Sequence, residues 1–261
     1  MTTDYRFRFS QFRLFLLVLA CFVVGRNVSA QKSVRDSSIS MTMIGAIVGV
    51  QSPGGDLSDR FGTNFNIGGT FQYKTRTNFL FGVDGYFLFG PDVKDEGLLR
   101  YFLNSSGAIT GLDGQFANIL LYERGMKFDL KAGRIFPVIG PNPNSGITLT
   151  LGAGWIQHKI RIDNKSEAIP ALSGDYLKGY DRLTGGFALT GFAGYTNFGN
   201  KRLVNFFLGV EVTRGFTHNL RRFNFDTREQ DDRLRNDLFF GIRGGWLFPL
   251  YRRSPRAYYY N

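Results

Sequence analysis

Between residues 62 and 90 the chain alternates with a period of two. Phe65, Ile67, Gly69, Phe71 and Tyr73 share one parity, and Asn64, Asn66, Gly68, Thr70 and Gln72 the other. A polar turn, Lys74-Thr75-Arg76-Thr77-Asn78, follows. The alternation then resumes through Phe79, Phe81, Val83, Phe87 and Phe89, with Asp84 on the opposite parity. Successive side chains of a strand point to opposite faces, so this stretch is expected to be a hairpin with one apolar, aromatic face and one polar face. A soluble sheet can bury such a face in a core. Here the pattern recurs to the end of the chain behind an apparent export signal, and lipid is then the expected solvent for it.

Residues 1–30 have the three parts of a secretory signal peptide. Arg6, Arg8 and Arg13 supply the charge, Leu14 to Val24 the apolar stretch, and Val28-Ser29-Ala30 a small-residue cleavage site. Cleavage between Ala30 and Gln31 is expected. The apolar stretch is short against the roughly 20 residues a membrane-spanning helix needs. Val18-Leu19-Ala20-Cys21 also has the look of a lipoprotein box, but Phe22-Val23-Val24 continues the apolar run past it. Cys21 is the chain's one cysteine. Its removal with the signal would leave no disulfide and no thiolate metal site. Of the formal net charge of +11, about +8 would remain on the mature chain.

Eight strands are expected, at about 39–51, 62–74, 78–90, 114–136, 146–162, 183–197, 202–216 and 236–250. The connections alternate long (52–61, 91–113, 163–182, 217–235) and short (75–77, 137–145, 198–201). An even strand number with short turns at one end and long loops at the other is the pattern of an outer-membrane barrel with both termini periplasmic. The fold class read from this is all-β: an eight-stranded antiparallel up-and-down transmembrane β-barrel over 39–251. A flexible start (31–38) precedes it and a short basic tail (252–261) follows. A soluble lipocalin-like barrel has the same strand number but needs a polar exterior. The parity of Leu238, Phe240, Ile242, Trp246 and Phe248 is uniformly apolar. Phe61, Tyr73, Phe79, Phe89, Tyr195, Phe198, Trp246, Phe248 and Tyr251 fall near strand ends, where aromatic girdles are expected. Gly152-Ala153-Gly154 and Gly244-Gly245 lie inside strands with no helix after them. They read as places of curvature or as room for large neighbours, not as phosphate loops.

Arg243-x-Gly245-x-x-Phe248-x-Leu250 resembles the C-terminal signal read by the barrel-insertion machinery of Gram-negative bacteria, although eleven residues follow Leu250. In architecture the whole mature chain resembles small eight-stranded outer-membrane proteins of the OmpA-barrel, OmpX and OmpW type. The segments GPNPNSG (140–146), QHKIRI (157–162) and SGDYLKGYDRL (173–183) are similar to those of Bacteroidota outer-membrane barrels. That resemblance implies a location and a lineage, and an accessory role in type IX secretion as one option. It implies no particular activity and no cofactor.

By parity, Asp84, Lys127, Asp129, Lys131, Glu211 and Arg243 should point into the lumen. An eight-stranded barrel is just wide enough to be filled by side chains, and opposite charges in a narrow interior are expected to pair. The expected result is a polar plug, the alternative a gated ion path. Catalysis would need a nucleophile within reach of a base. The histidines are His158, flanked by Gln157 and Lys159 with no serine nearby on its face, and His218 at the start of the last loop. Both read as rim or loop histidines, and no metal-ligand spacing is present. Asp226, Glu229, Asp231 and Asp232, a conceivable calcium set, interleave with Arg228, Arg233 and Arg235 and read as a solvated mixed-charge loop.

Lys74, Arg76, Lys201, Arg202, Arg252, Arg253 and Arg256 put the excess positive charge on the short turns and tail. Anionic lipid head groups are the first expected partner there, an acidic envelope protein the second. Leu98, Leu99, Tyr101, Phe102 and Leu103 form an apolar knot in the second long loop, expected either to fold over the barrel mouth or to dock a partner protein. Nucleic acid is not expected as a partner. The functional expectation is a non-enzymatic scaffold subunit of an envelope assembly. A narrow channel and a lipid-modifying enzyme using His158 are the alternatives.

Overall fold

The computed structural model describes residues 37–250 except 96, 113, 165–168, 201–203 and 222. The expected cleavage site at Ala30 and Gln31, most of the flexible start, Tyr251 and the tail lie outside the described residues, as do Lys201 and Arg202. Eight strands follow in chain order: β1 (Met41–Gly55), β2 (Asn64–Lys74), β3 (Phe79–Gly90), β4 (Ile119–Phe136), β5 (Gly146–Asn164), β6 (Thr184–Phe198), β7 (Asn205–Asn219) and β8 (Arg235–Leu250). Each pairs antiparallel with the next, and β8 pairs with β1, so the sheet closes into an up-and-down barrel. Closure gives every strand two neighbours and leaves no sheet edge.

The alternation sorts the side chains as a pleated wall requires. On β4, Glu123, Lys127, Asp129, Lys131 and Ile135 are buried, while Met126, Phe128 and Leu130 are exposed. The outer wall carries apolar side chains on every strand: Phe87 is 66% exposed, Leu130 70% and Leu151 75%.

Three expectations change. β1 runs on through Ser52-Pro53-Gly54 to Gly55, a stretch read as loop. Beyond Gln51 it pairs with β8 alone, and a one-sided strand tolerates the proline that a central one would not. Second, β4 begins at Ile119, not near 114. Residues 103–117 instead make isolated bridges, Leu103 to Ile109 and Thr110 to Phe116, about turns in which Gly107 and Gly114 take positive φ. Third, Phe61 and Phe198 are fully buried rather than girdle residues, because each sits where the barrel mouth is covered by its connections.

The glycines of the wall make room. A Cβ on Gly245 would lie 2.6 Å from the Phe207 ring, and one on Gly209 2.8 Å from that of Phe192. The two rings, from the paired strands β6 and β7, meet edge to face inside the lumen. Gly154 is tighter still, since its Cβ would fall 1.7 Å from the Phe128 carbonyl oxygen of β4. Gly154→Val should therefore block barrel closure, seen as loss of the faster-migrating folded band of the unheated protein on a denaturing gel.

Candidate functional site

The lumen is filled in layers. At mid-height β3, β4, β7 and β8 bring Asp84, Lys127, Asp129, Lys131, Glu211 and Arg243 into one cluster, three cations against three anions. Lys131 Nζ lies 2.6 Å from Asp84 Oδ1. Lys127 Nζ lies 3.1 Å from Asp129 and 3.3 Å from Glu211, and donates to Thr213 at 2.7 Å and Thr190 at 3.0 Å. Arg243 pairs with Glu211, lies 3.3 Å from Asp84 and donates to the Tyr86 hydroxyl. That hydroxyl in turn donates to Asp84 at 2.9 Å. The guanidinium also sits 4.6 Å from the Phe192 ring centroid, a cation–π contact. Every formal charge has an opposite neighbour, which removes most of the penalty for taking six ions out of water.

Toward the short turns lies an apolar layer of Met43, Ile47, Leu80, Ile135, Phe192 and Phe207. Below it Lys74 closes the barrel. This lysine was expected on the exposed basic face. It is instead fully buried, and its Nζ donates to Asn144 Oδ1 at 2.8 Å, Ser38 Oγ at 3.1 Å and the Ile39 carbonyl at 3.1 Å. The turn after β4 folds beneath the lumen and offers Asn144, while Ser38 and Ile39 come from the segment before β1. Among the described turn residues, Arg76 is exposed.

Toward the long loops, Leu57, Phe61, Leu88, Leu98, Ile156 and Phe239 form a second apolar layer. His158 lies within it rather than on the rim. It is 1% exposed, its Nε2 sits 2.8 Å from Asp237, Thr217 donates to the same carboxylate at 2.6 Å, and Phe61 packs edge-on to the imidazole. The bond joins β5 to β8 across the lumen. Sequence reading missed it. Each partner has inward parity, but matching their heights needs the register. His218 is exposed and belongs to β7, not to the following loop. Among the described residues no group of three or more His, Cys, Asp or Glu is placed to hold a metal ion.

Above this layer the loops are tied to one another. Arg182 bridges Asp95 at 3.2 Å and Asp226 at 2.5 Å, joining three long loops. Tyr180 meets Phe102 and Phe225 edge to face, and Arg221 pairs with Asp181 at 2.5 Å. The knot at 98–103 divides. Leu98 is fully buried, with Leu99 and Phe102 half-buried against the same layer, so these three help cap the mouth. Tyr101 and Leu103 stay exposed, as do Leu112 and Phe116 beyond them. The cap follows from chemistry: apolar loop side chains bury themselves where a layer of like kind is within reach.

Asp231 was read as part of a solvated loop. It pairs with Arg235 and lies 3.9 Å from Arg60, beside a cavity of about 290 Å³ that Arg182, Glu229 and Arg233 also line. Burial pushes the Asp231 carboxyl up, but the hydrogen bond and charge of Arg235, the Arg233 backbone and the charge of Arg60 together hold the group below its usual range. Burial, with Arg235 and Arg182 alongside, lowers Arg60 to about 10.

No family model matches the chain, and no curated protein does. Solved structures similar to it include Neisserial surface protein A (14% identity, 79% of this chain and 96% of that one, TM-score 0.39). Ail, the attachment invasion locus protein of Yersinia pestis, is 10% identical over 81% of this chain and 99% of that one, with a TM-score of 0.37. The N-terminal β-barrel domain of Pseudomonas aeruginosa OprF is 10% identical over 79% and 97%, with a TM-score of 0.34. At these scores the likeness adds nothing to the closed eight-stranded ring seen directly.

Two outcomes follow from the lumen and the mouth. Arg243→Met leaves Asp84 and Glu211 short of a cation and should cost about 3–5 kcal/mol in denaturant unfolding of the reconstituted protein. Adding Glu211→Gln should restore part of that loss, because the two sites are coupled. At the mouth, the carboxyl of Asp231 is depressed, so its contribution is complete above the unfolded value of about 3.9 and fades as pH falls through the lower folded value. Protease cleavage of the last long loop should accordingly rise below about pH 4, and Asp231→Asn should show that susceptibility at neutral pH.

Proposed function

We propose that the chain is an integral outer-membrane β-barrel with a structural or scaffolding role, and not a pore. Two features support the location. The outer wall is predominantly apolar on every strand while the strands pair into a closed ring, the combination that lipid demands. The pattern also stands behind an apparent export signal. With the short turns facing the periplasm, the long loops lie outside.

The observation that carries the non-conducting reading is the charge-balanced cluster at mid-lumen between two apolar layers. A permeating ion would have to break paired charges at mid-height and then cross Leu80, Ile135 and Phe207 on one side or Phe61 and Ile156 on the other. His158 does not favour lipid-modifying chemistry, since its Nε2 is held by Asp237 inside the plug. Reconstituted into planar bilayers, the folded barrel should show no discrete conductance steps across ±100 mV, a range of about 2.3 kcal/mol per charge each way. Reproducible single-channel steps would overturn this reading.

Scaffolding through the outer loops rests on Tyr101, Leu103, Leu112 and Phe116, apolar side chains left in water on one loop. Gentle-detergent purification of the native protein should retain a stoichiometric partner, identified by mass spectrometry. Leu112→Asp with Phe116→Asp should release it while the barrel stays folded.

A further inference from the structure

The outer wall across β3, β4 and β5 is not uniformly apolar. Register sets its rows. Phe87, Met126 and Gln157 lie side by side, and the next row toward the long loops holds Phe89, Arg124 and Lys159. Beyond that, Tyr122 faces Arg161. Toward mid-wall the neighbours are Phe128 and Trp155, both exposed. A groove of about 400 Å³ opens here, walled by Phe87, Phe89 and Met126, with Arg124 and Lys159 among its lining.

Arg124 and Lys159 are directly opposite across an antiparallel pair, an arrangement of like charges that destabilises a sheet unless something lies between them. The protein supplies little. Arg124 donates to its neighbour's carbonyl, that of Glu123, at 2.8 Å and lies over the Tyr122 ring at 5.3 Å. Lys159 is 3.8 Å from Asp181, but Arg221 already holds both oxygens of that carboxylate, at 2.9 and 2.5 Å. Among the described residues, no carboxylate pairs with Arg124 or Arg161. The strip thus has two facing cations at one end and an apolar groove at the other, which is the complement of a phosphate-bearing amphiphile.

We propose that this wall binds one anionic lipid, with its phosphate between Arg124 and Lys159 and an acyl chain along Phe87 and Met126. The inference rests on the reading of the wall as membrane-facing. A phosphate suits the pair better than a carboxylate does. Its oxygens point in several directions and accept from a guanidinium fork and an ammonium together. The aromatic and thioether side chains below give the chain an irregular, adaptable surface.

The test uses the full-length protein inserted into phosphatidylcholine vesicles containing a minor share of phosphatidic acid. It is then released in mild detergent, and the retained lipid is counted by native mass spectrometry. The expected result is one phosphatidic acid retained in preference to phosphatidylcholine. Arg124→Gln with Lys159→Gln should lower that retention about tenfold, since each basic residue at an anionic surface contributes a several-fold gain. Met126→Gln should lower it with both cations intact. Arg134→Gln removes an exposed cation from the same strand near its other end and should leave retention unchanged. An equal loss in Arg134→Gln, or no preference for phosphatidic acid, would overturn the proposal. Failure of the wild-type chain to enter phosphatidylcholine vesicles would instead sink the membrane reading beneath it.

Discussion

The pairing of β1 with β8 is the constraint on which the other features depend. It runs in register from Thr42 opposite Leu250 to Gly55 opposite Asp237, and it turns an open sheet into a ring. An open sheet with this apolar face would expose both a sticky surface and two rows of unpaired backbone groups. Closure pairs the strands within the wall, so the outer face can be largely apolar and the inner face protected. Everything inside then has a fixed, small volume, and each residue facing inward must be small, paired or packed.

The interior meets that demand by stratification. The six-charge cluster sits at mid-height, where β3, β4, β7 and β8 each contribute, with an apolar layer on either side of it. The mouths use different chemistry again. A single ammonium, that of Lys74, gathers oxygens from the N-terminal segment and the turn after β4 at one end. Arginine–carboxylate pairs knit the loops at the other. Placing Arg243 against Phe192 and Phe207 lets one residue join the ionic layer to the apolar layer next to it.

Much of this was legible in the chain because period-two alternation is local. Phe79, Phe81 and Val83 announce an outward face without any knowledge of partners, and the lumen residues on the opposite parity follow from them. Height is not local. His158, Thr217 and Asp237 come from three strands, and only register brings them level, so no spacing in the sequence marks them as neighbours. Lys74 misled for a related reason. A lysine beside a polar turn usually faces water, but here the turn at 137–145 is long enough to fold underneath and bury it. The knot at 98–103 was legible as too apolar for solvent. Which of its side chains turn inward depends on Phe61, Ile160 and Leu172, which come from other parts of the chain.

The Arg182 clasp has a consequence for recognition from outside. One guanidinium holds carboxylates from two other loops, and Tyr180 wedges between rings contributed by the same pair. The long loops therefore present a composite surface with a shape none of them has alone. A binder raised against a peptide copied from any single loop would meet a conformation the folded barrel does not display. One selected on the intact barrel would read residues far apart in the chain and lose its target when Arg182 is replaced. The loops are also bound together in their history, since a length change in one must be matched by the others for the shared cation to keep its partners.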